Sequence, residues 1–170
     1  MFSNRLDYFQ KTKRKKMKIN SLVIIFGLLL MNFSCMTNKE KLIEKINSLG
    51  FPENEIVVTI DDFFEGNNDP GSIGVNIYPN QPTPNDFYNK FKELKALNTI
   101  DDIYVRISDL EGEWPYTDTV YVITTLNKDE LAKLLSTLQP DEIYKGWMYK
   151  KPINAPKVPK GFSVYSVWWD

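Results

Sequence analysis

Residues 103–140 read IYVRISDLEGEWPYTDTVYVITTLNKDELAKLLSTLQP. Ile103, Val105 and Ile107 alternate with polar or mixed positions, the two-residue period of a strand with one covered face. Val120–Thr124 is β-branched at all but one position and reads as a second strand. Shortly after it, Asn127-x-x-Glu130 is a helix-opening capping box, in which each side chain satisfies a backbone N–H that the first turn leaves free. Leu131, Leu134, Leu135 and Leu138 then recur on one helical face until Pro140 stops the helix. Two strands and a capped helix in this order predict an α+β domain.

The pattern extends in both directions. Upstream, Thr83, Pro84 and Asp86 open a helix whose apolar stripe is Phe87, Phe91 and Leu94, with Leu97 beside it. Ile73–Tyr78 and Ile56–Ile60 read as strands, joined by a polar loop at Asp61–Ser72. Further back, Thr37-x-x-Glu40 caps a helix carrying Leu42, Ile43, Ile46 and Leu49, which ends at Gly50 with Pro52 beyond. Downstream, Glu142–Tyr149 is a weaker strand and Phe162–Trp169 a stronger one, with Pro152, Pro156 and Pro159 stiffening the connector between them. In the last strand Val164, Ser166 and Trp168 share one face and Tyr165, Val167 and Trp169 the other, so an interior strand covered on both sides is expected. From Ile73 onward the order is β-α-β-β-α-β. That is the ferredoxin-like arrangement, an antiparallel sheet with both helices on one face, here with an extra N-terminal helix and strand and an extra C-terminal strand.

The charge is divided unevenly. Residues 1–35 hold seven of the 21 Lys and Arg and one of the 22 acidic residues, so the remainder carries a net charge of −7. So acidic a domain lacks the basic footprint that nucleic acid requires. The chain has no histidine and one cysteine, which removes Ser-His-Asp and Cys-His catalysis, an internal disulfide and a thiolate metal cluster. No cofactor or metal is implied.

The basic run Lys11–Lys18 precedes Leu22–Met31, ten almost wholly apolar residues. A membrane-spanning helix needs about 20, whereas ten behind a basic flank fit the core of an export signal. Met17 is a plausible start, which would leave residues 1–16 as an upstream extension. The run closes on Asn32-Phe33-Ser34-Cys35. This resembles the lipobox of bacterial lipoproteins, although leucine rather than Asn32 is usual three residues before the cysteine. The resemblance implies cleavage after residue 34, lipidation of Cys35, a tether over residues 35–40 and one domain over 41–170. It also implies attachment of the protein to the bacterial cell envelope, facing the periplasm or the exterior.

The densest set of oxygen donors is Asp61-Asp62-Phe63-Phe64-Glu65-Gly66-Asn67-Asn68-Asp69. It lacks the spacing of an EF-hand, because Ser72 and Ile73 fall where the twelfth-position carboxylate belongs. Its Asn, Asp and Gly content suits a turn. Asp61, Asp62, Glu65 and Asp69, with the aromatics Trp114 and Tyr116, form the candidate contact surface for a protein partner. Asp61/Asp62/Glu65 and Asp109/Glu111/Glu113 are the only carboxylate groupings that could serve acid–base hydrolysis. No G-x-S-x-G elbow or phosphate-binding glycine motif occurs, and no catalytic residue is assigned.

The segments DDFFEGN at 61–67, GSIG at 71–74, WPYTD at 114–118, LQPDE at 138–142 and the terminal VWWD at 167–170 together resemble a family of small uncharacterised bacterial proteins. That resemblance implies no activity and no catalytic residue. The expected role is a membrane-anchored, non-enzymatic protein-binding module of the envelope, an immunity-like function being one form of it. A structural envelope lipoprotein and a carboxylate-dependent glycan hydrolase are the alternatives.

Overall fold

Four side chains set where the helices begin. Thr37, Thr59, Thr83 and Asn127 each accept the backbone N–H three residues on, while Glu40, Asp62, Asp86 and Glu130 accept the N–H of the capping residue itself. In the computed structural model, which describes residues 36–170, these boxes open α1 (Asn38–Ser48), α2 (Ile60–Phe64), α3 (Pro84–Lys95) and α4 (Lys128–Leu135). A cap of this kind contributes about 1 kcal/mol. Helix α1 starts inside residues 35–40, which the sequence reading gave to a tether. Residues 1–35, with the export signal and Cys35, lie outside the described residues.

Five strands, β1 (Val57–Thr59), β2 (Ile100–Arg106), β3 (Thr119–Thr124), β4 (Glu142–Lys145) and β5 (Ser163–Trp168), form one antiparallel sheet in the order β1-β2-β3-β5-β4. The class is α+β, as expected. The ferredoxin-like chain order is not. Ile73–Tyr78, expected as a strand, makes only a single bridge, from Ile73 to Thr117. Gly74 has φ +62°, and a Cβ there would stand 2.9 Å from Ile77 Cδ1 and 3.0 Å from the Phe87 ring. The chain therefore turns at Gly74 over α3, leaving Val75 and Tyr78 exposed. The place beside β3 is taken by β5, which pairs with β3 on one side and β4 on the other. Helix α4 thus carries the chain from β3 to a parallel β4, with the gap filled by the C-terminal strand.

The two sheet faces are covered differently. Val58, Ile103, Val105, Val120, Val122, Ile143, Tyr165 and Val167 pack against Leu42 and Ile46 of α1, Phe63 and Phe64 of α2, Phe87, Phe91 and Leu94 of α3, and Leu131 and Leu135 of α4. Trp169 is fully buried here, edge-on to Phe87 and Phe91, and its indole N–H donates to Leu138 O at 2.8 Å. On the other face Val57, Tyr121, Ile123 and Val164 meet Tyr104, Trp147, Val158 and Phe162, the last three from the connector that precedes β5. Both sides of β5 are therefore covered, as its composition implied.

The connector also closes one sheet edge. Asn154 Oδ1 accepts the Val57 N–H at 3.0 Å, and Asn154 Nδ2 donates to Val57 O at 2.7 Å. One side-chain amide thus takes the place of a sixth strand at β1, blocking a common route to edge-to-edge association.

Trp169→Ala is expected to cost about 3–5 kcal/mol, the range for deleting a large buried aromatic. Trp169→Phe, which keeps a ring but loses the indole bond, should cost about 1–3 kcal/mol. Urea denaturation of the two variants against wild type checks the order.

Candidate functional site

Asp61 and Asp62 belong to the first turn of α2, and Glu65 follows that helix. This corrects the polar loop expected over Asp61–Ser72. Thr59-x-x-Asp62 is the same capping signal that marks the other three helices. The Asp61 carboxylate accepts the Tyr88 hydroxyl at 2.8 Å, and Lys92 Nζ lies 3.9 Å above the Tyr88 ring. Burial, then the bond to Asp61, pushes the Tyr88 hydroxyl up to about 12. Burial raises the Asp62 carboxyl, but bonds from Lys45 and Thr59 outweigh it and hold the group below the usual carboxylate range. The two carboxylates consequently fasten α2 to α3 and α1.

Asp69 is also engaged. Its Oδ1 accepts the Gly71 N–H at 2.8 Å and its Oδ2 the Trp114 N–H at 3.1 Å. Trp114, expected as an exposed contact, is 7% exposed, and its indole N–H donates to Phe63 O at 2.8 Å. It is a core residue because its one polar atom finds a backbone partner inside. Tyr116 is half-buried and bridged through its backbone to Asp109. Of the six proposed contact residues, Asp61 and Glu65 alone have exposed side chains. The second carboxylate grouping does not converge either: Asp109 Oδ1 accepts the Glu111 N–H, and Glu111 and Glu113 face solvent.

A denser polar cluster surrounds Arg106 on the connector side of the sheet. Its Nε and Nη2 bind Glu55 in bidentate fashion at 2.9 and 3.1 Å, and its Nη1 donates to Ser108 Oγ at 2.7 Å and Asp118 Oδ1 at 3.2 Å. The Tyr149 ring lies 3.8 Å from the guanidinium carbon, and its hydroxyl donates to Asp118 Oδ2 at 3.2 Å. Burial works against the charge on Arg106, but Glu55 and Asp118 more than restore it. Tyr121 OH is buried without a partner beneath this cluster, and burial pushes its hydroxyl well up. The cluster escapes sequence reading because Arg106 occupies an ordinary outward position of a strand and Glu55 stands 51 residues away. Its donors face protein acceptors, so it holds the connector to the sheet.

The surface left open lies elsewhere. An open groove of about 930 Å³ runs between the Pro79–Pro82 turn, Asp86, Asn89, Lys90 and Glu93 of α3, and Thr137–Gln139. A second recess, holding Asn76, Ile77, Tyr78, Asp141 and Asp170, adjoins it through Gln139. Tyr78 is 92% exposed. Gln81 fixes the turn by donating to Pro70 O at 2.6 Å and Ile73 O at 3.2 Å. Asp86 accepts the hydroxyl and N–H of Thr83, which lower its carboxyl, and Glu93 pairs with Lys90 at 3.0 Å. The bonds from Thr83 thus favour the charged form of Asp86. Among the described residues no group of three His, Cys, Asp or Glu side chains could hold a metal ion, and no helix is long and apolar enough to cross a membrane.

The model of the family described as "Uncharacterized protein YfbO family" matches residues 37–167. The chain belongs to that family. The Escherichia coli (strain K12) relative, "Uncharacterized protein YfbO", is 30% identical over 141 residues, spanning 79% of this chain and all of the relative. No solved structure matches the chain. The family match opens at Thr37, the residue that caps α1 and begins the compact unit Thr37–Asp170. The surfaces above all lie within that unit.

Two outcomes follow from the charged contacts. Because the Asp62 carboxyl is lowered in the folded protein, its contribution is full above the unfolded value, near 3.9, and is lost as pH falls through the folded value. Asp62→Asn should therefore have a lower urea midpoint than wild type at pH 7, with the gap closing as pH falls below about 4. Arg106→Met should cost about 3 kcal/mol by stranding Glu55 and Asp118, and Arg106→Lys should recover only part of this, since ammonium cannot reproduce the bidentate fork. Midpoints for both variants, with Glu55→Gln completing a double-mutant cycle, measure that coupling.

Proposed function

We propose that this protein is a lipid-anchored, non-enzymatic binding module of the bacterial envelope, and that it receives a basic protein segment in the groove beside Tyr78. The observation that carries the reading is Tyr78 itself, an aromatic ring 92% exposed that lines the second recess and directly precedes Pro79 of the groove. A large ring held in solvent by a fastened turn is the kind of residue that anchors protein interfaces. Charge supports the choice of partner: Asp86, Glu93, Asp141 and Asp170 line the two recesses, against Lys90 alone. The net charge of −7 beyond residue 35 would steer the encounter with a basic partner.

The contact surface expected at Asp61–Asp69 and Trp114 gives way to this one, since most of those side chains are committed inside the protein. Asp61 and Glu65 remain as exposed charges. The anchoring part of the proposal is supported by the basic flank, the ten-residue apolar core and the Cys35 box. A glycan hydrolase is less well supported, because Asp86 is tied into the cap of α3 and Glu93 is paired with Lys90, so both carboxylates of the groove are already engaged.

The full-length protein, immobilised and offered the envelope and secreted fractions of its own source, should retain one basic protein stoichiometrically and release it at high salt. Tyr78→Ala should weaken that capture about 30-fold, as for a hot-spot loss of about 2 kcal/mol, without moving the urea midpoint. Equal capture by wild type and Tyr78→Ala, or no specific capture, would count against the groove.

A further inference from the structure

The geometry points to an orientation on the membrane: we propose that the end of the domain formed by the first turn of α1 and the Glu65–Asn68 turn lies against the lipid headgroups. This inference rests on the lipid-anchoring reading and adds to it a defined membrane-facing surface.

The argument is one of reach. Thr37 is already the N-cap of α1, fixed by a reciprocal pair of bonds with Glu40 at 2.8 and 3.2 Å. Cys35 precedes it by two residues, which span at most about 7 Å even when fully extended. The polar layer of a bilayer leaflet is about 5–7 Å deep. A lipid on Cys35 would therefore hold the first helical turn at the headgroups, with no tether in which the domain could swing away.

Neighbouring residues fix what else must lie at that level. The Asn38 side chain closes over Gly66, where a Cβ would come within 3.3 Å of its amide nitrogen. The α1–α2 side of the same corner is a recess that Lys41 lines together with Asp61 and Glu65. Lys39 and Lys41 are exposed on the first turns of α1, where ammonium groups can meet headgroup phosphates. α1 rises about 1.5 Å per residue, so position 47 lies about 12 Å along the helix axis from position 39, and in the proposed orientation it is the outer of the two.

Single-cysteine variants Lys39→Cys, Asn68→Cys and Asn47→Cys in the acylated full-length protein test this. Each is labelled with a fluorophore, the Cys35 thiol being consumed by its lipid, and placed in phosphatidylcholine–phosphatidylglycerol vesicles carrying a headgroup nitroxide. Labels at 39 and 68 should be quenched at least twofold more than the label at 47. Ten Gly/Ser residues inserted between Met36 and Thr37, with a mean reach of about 17 Å, should abolish the difference. Equal quenching at all three positions in protein whose N-terminal peptide carries acyl chains by mass would overturn this orientation alone. An unacylated Cys35 in protein recovered from its own source would overturn the anchoring reading and this inference with it.

Discussion

The fold depends on the seating of one strand. β5 lies between β3 and β4, pairs with both, and is apolar on each face. Trp169, just beyond it, locks the arrangement: its ring meets Phe87 and Phe91 of α3 edge-on, and its indole N–H donates to the Leu138 carbonyl in the turn that follows α4. One side chain thus couples the sheet to two helices. Without it, β3 and β4 would have no shared neighbour, and the connector that covers the opposite face would have nothing to lead into.

The helices were the most legible part of the sequence because their start signals are local. A side chain three residues before an acid decides the first turn, and three of the four boxes could be read directly. The fourth, Thr59-x-x-Asp62, was hidden by the concentration of Asp, Asn and Gly that follows it, which also describes a turn. Strand pairing is non-local and was read less well. Ile73–Tyr78 has the composition of a strand, but a left-handed Gly74 and the close approach of Phe87 bend it. The slot it was given belongs to residues 90 positions later, a pairing that no local period encodes. Among the site residues, Trp114 illustrates the limit of composition. Tryptophan suits an interface and a core equally, and only the Phe63 carbonyl beside its indole nitrogen decides between them.

The family model and the compact unit both begin at Thr37. What the family shares is therefore the folded domain, and the proposed export signal and Cys35 lie ahead of the shared part. This separates two questions. The proposed contact residue Tyr78 lies within the part that the family match covers, whereas the proposed anchoring rests on the segment in front of it. The same boundary makes Thr37 a point where chemistry changes abruptly, from an N-terminal segment rich in basic and apolar residues to an acidic domain with capped helices.

The position of β5 also bears on when the protein can fold. Synthesis proceeds from the N-terminus, and domains generally fold as units once their interacting segments are available. Here an interior strand is made after both of its neighbours, and its partners in β3 lie 39 to 49 residues earlier, from Thr124 opposite Ser163 to Thr119 opposite Trp168. The growing chain can form its capped helices and the β2–β3 hairpin, but β4 has no sheet to join until β5 has been made. Contacts of such long sequence separation are also slow to form. A sheet that closes only once β5 has arrived stays open while all the segments before it are being made.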